Sequence, residues 1–573
     1  MKNLSRRSFL RGTIGVAGAL TLSGSCRAQE TRETQQVLAN HVGFTPGAAK
    51  VCLFPAAGPR GFRVLAADGA VLLDGETRLV KGDLGEYRVG DFSDVTHGGE
   101  VRVEAEGLRP AGVRISEDVY DDALGKTLEY FATQRCGDST SGYNAPCHLD
   151  DGVRDDNGRR HDVSGGWHDA CDVRKWVSAT IYGMIGLSRT LDALGPERID
   201  RERVIDEQRW GNTYFRKMQE PEGYVMSWCG GDEGNNFTDN VRGTNDDRHI
   251  RTEAAELPEQ FHFVSAQAGL ARQVREADPD YARGCLEAAK RCFDWCMSRR
   301  NARSAASVSA GASAAVQMHR ATGAKRWEAA AAEMLQRLTR LQARGEGDEP
   351  RGFFFTKPHE PEPYRDIMHG NLPLLALCDA LEHFADHADH AAWRETLQMH
   401  VEHLAAMAGR SAFETMPFGL YSGSDPGGGR RAGDYWYRWF MKPGGETPAD
   451  DWWVGINAHL ASNGVGLHRA GVLLNNARLK RLAQRQLDWI LGVNPFNAST
   501  MSGVGRNQPR LYVTGQFAPP TPTIAGGVMN GIGGDERDKP WLKAGSWQTC
   551  EYWTPMVAYT MWLMASLAVQ GAQ

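Results

Sequence analysis

Between about residues 36 and 117 apolar and polar residues alternate in short runs, "KVCLF", "GFRVLAADGAVLLDG", "GEYRVGDF" and "EVRVEAEG", divided by turn residues. A period of two puts neighbouring side chains on opposite faces of a strand. Asp68-Gly69, set between two such runs, predicts a hairpin turn. Short strands at this spacing predict a small all-β sandwich. That fold by itself fixes no function.

From about Asp118 to the end the period changes. "LPLLALCDALEHF" sets Leu374, Leu377, Cys378, Leu381 and Phe384 on one helical face. Similar patterns predict helices near 122–133, 173–193, 262–276, 326–342, 391–408, 456–473 and 476–491. "QLDWILGVNP" closes its helix with Gly492 as cap and Pro495 beyond. About a dozen helices without a heptad seam predict a globular helical array or toroid. Long Gly, Asn and Asp-rich connections at 220–252, 409–452 and 497–546 are expected to build a site on one face.

A chain of 573 residues exceeds one ordinary core, so at least two domains are expected. Its 41% hydrophobic and 24% charged residues, with a formal charge of -6, are those of a soluble globular protein. The absence of a basic block interleaved with aromatics argues against nucleic acid as a partner. Sixteen tryptophans leave two readings, core filling or flat surfaces for sugar rings.

The first 29 residues resemble a twin-arginine export leader, with Arg6 and Arg7 ahead of a short apolar run from Thr13 to Leu22. The run falls short of the roughly 18 apolar residues that span a bilayer, and so does every other stretch, so no transmembrane segment is expected. An exported protein, periplasmic or extracellular, follows. Cys26 keeps a lipoprotein anchor as the lesser reading, because "LSGSC" spaces Leu22 four residues before it. Eleven cysteines, odd in number and thinly spread, are not a disulfide framework.

Chemistry concentrates in "DVSGGWHDACDVRKW". Cys136, Cys147, His148 and His168 offer two sulfur and two nitrogen ligands, a complete tetrahedral set for a structural zinc. Scattered buried Cys and His is the other reading, and His161 is a competing ligand. Asp169 and Asp172 suit either helix capping or acid/base work on an acetal, which needs a further carboxyl group across a cleft. The stretch "DDGVRDDNG" has partial calcium-loop character, so calcium is a second metal expectation beside a solvated turn. Trp436, Trp439, Trp452 and Trp453 lie in one long connection as sugar platforms or as loop packing.

"DVSGGWHDACDVRKWV" resembles the "DVSGGWHDAGDYGKYV" type of segment of glycoside hydrolase family 9, the inverting, cellulase-like family. "QLDWILGVNPFNASTMSGVG" is similar to that family's "QLDYLLGRNPLGRSYVTGFG" type of segment. The resemblance runs over nearly the whole chain. It implies an immunoglobulin-like sandwich at 36–117 followed by an all-α (α/α)6 barrel at 118–573. It also implies hydrolysis of a β-linked polysaccharide or oligosaccharide, with Asp172 as general base, Asp169 helping to hold the water, Glu551 as general acid and the four Cys/His ligands holding a structural zinc.

The sequence departs from that pattern in three places. Where the family runs into "PHHR", this chain reads "GRNQPRLYVTG", which leaves Arg506 and Arg510 as candidate sugar contacts. Pro555 follows Glu551 by four residues, against eight in the "NEVAINWNAPL" setting. Cys171 stands where the motif has glycine. Two alternatives therefore stay open: a carbohydrate-binding protein without catalysis, and a polysaccharide lyase on a helical toroid, with Arg430, Arg431, Arg506 and Arg510 facing a uronate.

Overall fold

The computed structural model describes residues 35–138, 145–195, 197–231, 238–299, 303–345, 350–445, 452–513 and 524–569. The leader and Cys26 lie outside the described residues.

Six antiparallel strands form the first domain: β1 (Val51–Pro55), β2 (Gly61–Ala66), β3 (Val71–Gly82), β4 (Gly85–Asp91), β5 (Gly99–Glu104) and β6 (Ala111–Ile115). Their order is β1-β4-β3-β2-β5-β6. Strand β3 makes two layers from one sheet. Its first half pairs with β2, from Val71 opposite Leu65 to Glu76 opposite Gly61, and its second half pairs with β4 from Thr77 onward. The alternation seen in the sequence fills the space between the layers with Phe44, Cys52, Phe54, Phe62, Val64, Phe92 and Val103. The Asp68-Gly69 hairpin forms as predicted, with Asp68 Oδ1 accepting from the Ala70 amide at 2.9 Å.

Twelve long helices follow among the described residues, with one four-residue helix between the last two. The outer ones are α1 (Asp121–Gln134), α3 (Arg201–Lys217), α5 (Pro279–Met297), α7 (Lys325–Thr339), α9 (His390–Ala408) and α11 (Ala477–Ile490). The inner ones are α2 (Val177–Leu194), α4 (Leu257–Val274), α6 (Ala305–Thr322), α8 (Leu372–His383), α10 (Asn457–Leu473) and α13 (Thr554–Ala568), with the short α12 at Trp547–Cys550. Each inner helix packs on the next, and α13 returns to α2, so the ring closes as an (α/α)6 barrel. Sequence dictates the two tiers. Every residue of α13 is buried, as expected of a helix wrapped on all sides, whereas α11 buries only part of its circumference, including Leu479, Leu482, Leu487 and Ile490.

Helix starts follow side-chain caps: Asp200, Asp278, Ser304 and Asn371 accept from the amides of Arg203, Tyr281, Ser307 and Leu374. Helix α2 differs from the expected start near 173. It begins at Val177, because Val173 takes a left-handed φ of 56° that no helix tolerates. No described helix is long and apolar enough to cross a membrane.

The sandwich braces the barrel. Asp83 accepts from the Tyr437 hydroxyl at 2.6 Å and from the Trp439 indole at 3.2 Å. Asn40 donates to Asp488 at 2.9 Å, His41 meets Asn497 at 2.8 Å, and the Tyr87 ring packs edge-on against Phe413.

Candidate active site

The long connection from α1 to α2 ends in a loop running from Gly165 to Trp176. Gly165 and Gly166 have φ of 94° and 76°, and a Cβ on Gly166 would stand 2.6 Å from Tyr214. Only glycines allow the loop to lie this close to α3. Three backbone bonds then fix its course: the His168 amide donates to Gln134, the Asp169 amide to Arg174, and the Thr554 amide at the start of α13 to the Asp169 carbonyl.

Asp169 is buried, with Oδ2 accepting from the Trp553 indole at 3.2 Å. Its Oδ1 has no hydrogen-bond partner among the described residues. Burial, and then the charge of Asp172, holds this carboxyl well above the usual carboxylate range. Asp172 is the more exposed acid, with 30% of its side chain open. It accepts weakly from the Arg174 amide at 3.4 Å, and the Arg174 guanidinium stands 3.6 Å away.

Glu551 arrives from the other end of the chain. The Cys171 thiol donates to its Oε1 at 3.0 Å. Burial pushes the Glu551 carboxyl up to about 8 and the charge of Asp172 adds to the rise, while the thiol and backbone amide of Cys171 pull the other way. Tyr552, the chain neighbour of Glu551, is buried, and the indole of Trp553 serves Asp169. Three carboxyl groups thus share one site, and two of them resist ionisation.

Val173 carries stored strain beside Asp172. A β-branched residue at positive φ costs on the order of 1 to 3 kcal/mol. It is held there by Arg248, which donates to the Val173 carbonyl at 2.6 Å. Arg248 also grips Asp151 through two bonds of 2.7 and 2.6 Å, and Lys175 reaches the same carboxylate at 2.7 Å, all three side chains being fully buried. Burial would raise Asp151, but the two cations hold it well below the usual carboxylate range.

Cys136, Cys147, His148 and His168 are buried, and their donor atoms all lie within 4.8 Å of one another. Cys136 Sγ is 3.7 Å from His148 Nδ1, and Cys147 Sγ is 3.8 Å from His168 Nε2. A tetrahedral zinc with bonds of about 2.3 Å to sulfur and about 2.0 Å to nitrogen requires ligand separations of about 3.5 Å, so the four residues fit that metal. Burial would raise the Cys136 thiol, yet a hydrogen bond from Cys147 and the Lys175 ammonium hold it well below its ordinary value, while that same hydrogen bond and burial push the Cys147 thiol up. The competing His161 is committed elsewhere, with Nε2 2.7 Å from the Lys217 carbonyl.

The stretch with partial calcium-loop character has most of its acids engaged by other side chains. In "DDGVRDDNG", Asp151 is taken by Arg248 and Lys175, Asp155 by Thr252, and Asp156 by Arg154. Asp150 alone joins a carboxylate group, with Asp239 and Asp246 from a distant loop, whose oxygens lie within 4.8 Å of one another.

The expected sugar platforms divide. Trp452 stands edge-on to Trp553, centroids 6.1 Å apart, and so borders the carboxyl cluster. Trp453 packs on Trp541 at 5.2 Å, and Trp436 lies under the Arg431 guanidinium at 4.5 Å. Trp439 is not a platform: it is 1% exposed and bonded to Asp83 of the sandwich, so packing is its role. Arg506 sits at the domain junction, its amide donating to His41 Nδ1 at 3.2 Å, and not among the carboxyl groups. Arg510 lies against the loop leading to Glu551, its carbonyl accepting from Gly545.

Sequence reading passed over Trp176 and Trp228, a half-buried stacked pair with centroids 4.4 Å apart. Arg174 lies over the Trp228 ring at 5.7 Å, which links the pair to Asp172. An aromatic in the short strand "MSWCG" (Met226–Gly230) was the available signal.

Fold and site together define a two-domain protein whose helical barrel carries a carboxyl cluster on the segments leading into α2 and α13, close in sequence to a buried Cys/His group that fits a metal. Known sequences and structures agree with that class. The profile of glycosyl hydrolase family 9 matches residues 120–564, and that of the cellulase N-terminal ig-like domain matches residues 32–110. The chain belongs to glycosyl hydrolase family 9.

Endoglucanase D of Acetivibrio thermocellus is 28% identical over 287 residues, covering 45% of this chain and 44% of that protein. A cellodextrinase of Butyrivibrio fibrisolvens is 28% identical over 218 residues, 33% of this chain and 39% of its own. The chain thus spans less than half the length of these curated relatives. Among solved structures, a metagenome-derived glycoside hydrolase family 9 endoglucanase superposes with a TM-score of 0.68 at 20% identity, covering 93% of this chain and 99% of that one. The enzyme AaCel9A in complex with a cellobiose-like isofagomine gives 0.65 at 19% identity, with the same coverage.

Proposed function

We propose that this protein hydrolyses a β-linked glucan, or a related polysaccharide or oligosaccharide, with inversion at the anomeric carbon. The observation that carries the reading is the gathering of Asp169, Asp172 and Glu551 from opposite ends of the chain, with Glu551 held protonated to about pH 8 and Asp172 the open one. Asp172 takes the proton of the attacking water. Asp169, with Oδ1 not engaged by any described residue, orients that water. Glu551 delivers its proton to the departing glycosidic oxygen. The names of the relatives, endoglucanase and cellodextrinase, support the substrate class.

The test is product release from β-glucans, xyloglucan, β-mannan and amino-sugar oligomers, with anomeric configuration read by NMR. We expect inverted products from one substrate, lost by at least about a hundredfold in Asp172→Asn and in Glu551→Gln. Full activity in Glu551→Gln moves the acid elsewhere. Binding without turnover on every substrate replaces hydrolysis with carbohydrate binding.

Cys136, Cys147, His148 and His168 would hold a zinc ion whose chemistry is structural, since four protein ligands close the coordination sphere. Their part is to pin the loop that carries Asp169 and Asp172 to the end of α1. Metal analysis should find about one zinc per chain, lost with thermal stability in Cys147→Ser; metal-free protein of unchanged stability refutes the assignment. Asp150, Asp239 and Asp246 support calcium as a second ion. The twin-arginine pattern of the leader supports export.

A further inference from the structure

Cys171 lies between the two aspartates of the cluster, and nothing in the proposed reaction uses it. It is fully buried, with its thiol turned toward Glu551 Oε1 at 3.0 Å. The two residues are 380 positions apart in sequence. Their contact, with the Thr554 amide and hydroxyl on the Asp169 carbonyl, ties the aspartate loop to the start of α13. A carboxyl group on a side chain with three rotatable bonds delivers a proton well only when its orientation is fixed. The Cys171 backbone amide also reaches the Glu551 carboxyl, whereas the neighbouring side-chain donors are engaged: the Trp553 indole serves Asp169, and the Arg174 guanidinium leans toward Asp172 and Trp228.

We propose that Cys171 is the positioning residue of Glu551: its S–H donates to Oε1, holds the carboxyl in the orientation that presents its other oxygen to the substrate, and sets the pH at which the proton is lost. The inference rests on the reading of Glu551 as general acid. A thiol donor favours the ionised carboxylate, so it opposes the upward push of burial and of Asp172. The alkaline limb of the rate profile therefore lies lower than it would without the thiol. A hydroxyl at the same place is the stronger donor and moves the limb further down.

The experiment compares wild type, Cys171→Ala, Cys171→Ser and Glu551→Gln in the full chain. It reads kcat and KM across pH on the substrate found above, and the infrared band of the protonated Glu551 carboxyl, which needs no substrate. For Cys171→Ala we expect kcat to fall about tenfold with KM within about twofold, and the alkaline limb and the infrared titration to rise together by about half a pH unit. Cys171→Ser should recover most of kcat and shift both below wild type. A buried residue that merely fills space would leave limb and band in place. Unmoved limbs in both variants, with Glu551→Gln inactive, overturn the role of Cys171 alone. An active Glu551→Gln overturns the acid assignment, and this proposal with it. Should Cys171→Ala fail to fold, the serine variant carries the same test through its opposite shift.

Discussion

At the scale of single residues, the site is a problem of three acids in one place. Glu551 keeps its proton to about 8, against an ordinary value of 4.5. Hydrolysis should fall away above about pH 8 as the acid ionises. The same shift bears on stability. Below about 4.5 both folded and unfolded chains hold this proton, so the contribution is fully present there. Between about 4.5 and 8 the unfolded chain releases the proton and the folded one does not, so stability declines as pH rises through that window. Denaturant melts of wild type and Glu551→Gln at about pH 5 and about pH 9 should show the wild type losing ground to the variant at the higher pH. Equal slopes with pH would mean that Glu551 titrates normally.

At the scale of elements, the strained turn at Val173 depends on a buried ionic group that links three segments. Arg248 bonds to Asp151 and to the Val173 carbonyl, and Lys175, one residue before α2, shares Asp151. Arg248→Met should cost about 3 to 5 kcal/mol in unfolding free energy, because it leaves Asp151 with half its compensation and frees the turn. It should also lower kcat, since Asp172 directly precedes Val173. A loss of stability with unchanged kcat would separate the turn from catalysis. This turn shows what sequence could and could not disclose. Asp169, Asp172 and the four candidate metal ligands fall in two short stretches, but their residue types leave capping and scattered burial open, and the family resemblance is what assigns them roles. The sandwich and most helices were plain from period two and period 3.6. The α2 start was not, because a hydrophobic period continues through Val173 while Arg248, far along the chain, bends the backbone there. Trp439 misled for a related reason: a tryptophan facing a sugar and one facing Asp83 of another domain look alike until the domains meet.

At the scale of the molecule, the barrel is a ring whose first and last inner helices, α2 and α13, touch. The carboxyl groups sit on that contact: Asp169 and Asp172 on the loop before α2, Glu551 just before α13. Long-range closure of this kind is slow relative to helix formation. During refolding, far-ultraviolet circular dichroism should therefore recover before hydrolytic activity. Simultaneous recovery would show that the ring closes as the helices form.

That contact also makes the carboxyl cluster the clasp of a bracelet. Elsewhere around the ring successive inner helices are joined through the chain, and only between α13 and α2 does cohesion depend wholly on packing and a few bonds, those of Thr554, Trp553 and Cys171 among them. Mild heat or denaturant that loosens the clasp would part Glu551 from Asp172 while the helical content is intact. Turnover is then a more sensitive gauge of this protein's integrity than any spectroscopic measure of its helices, and a ligand bridging Asp172 and Glu551 would act as a pin through the clasp.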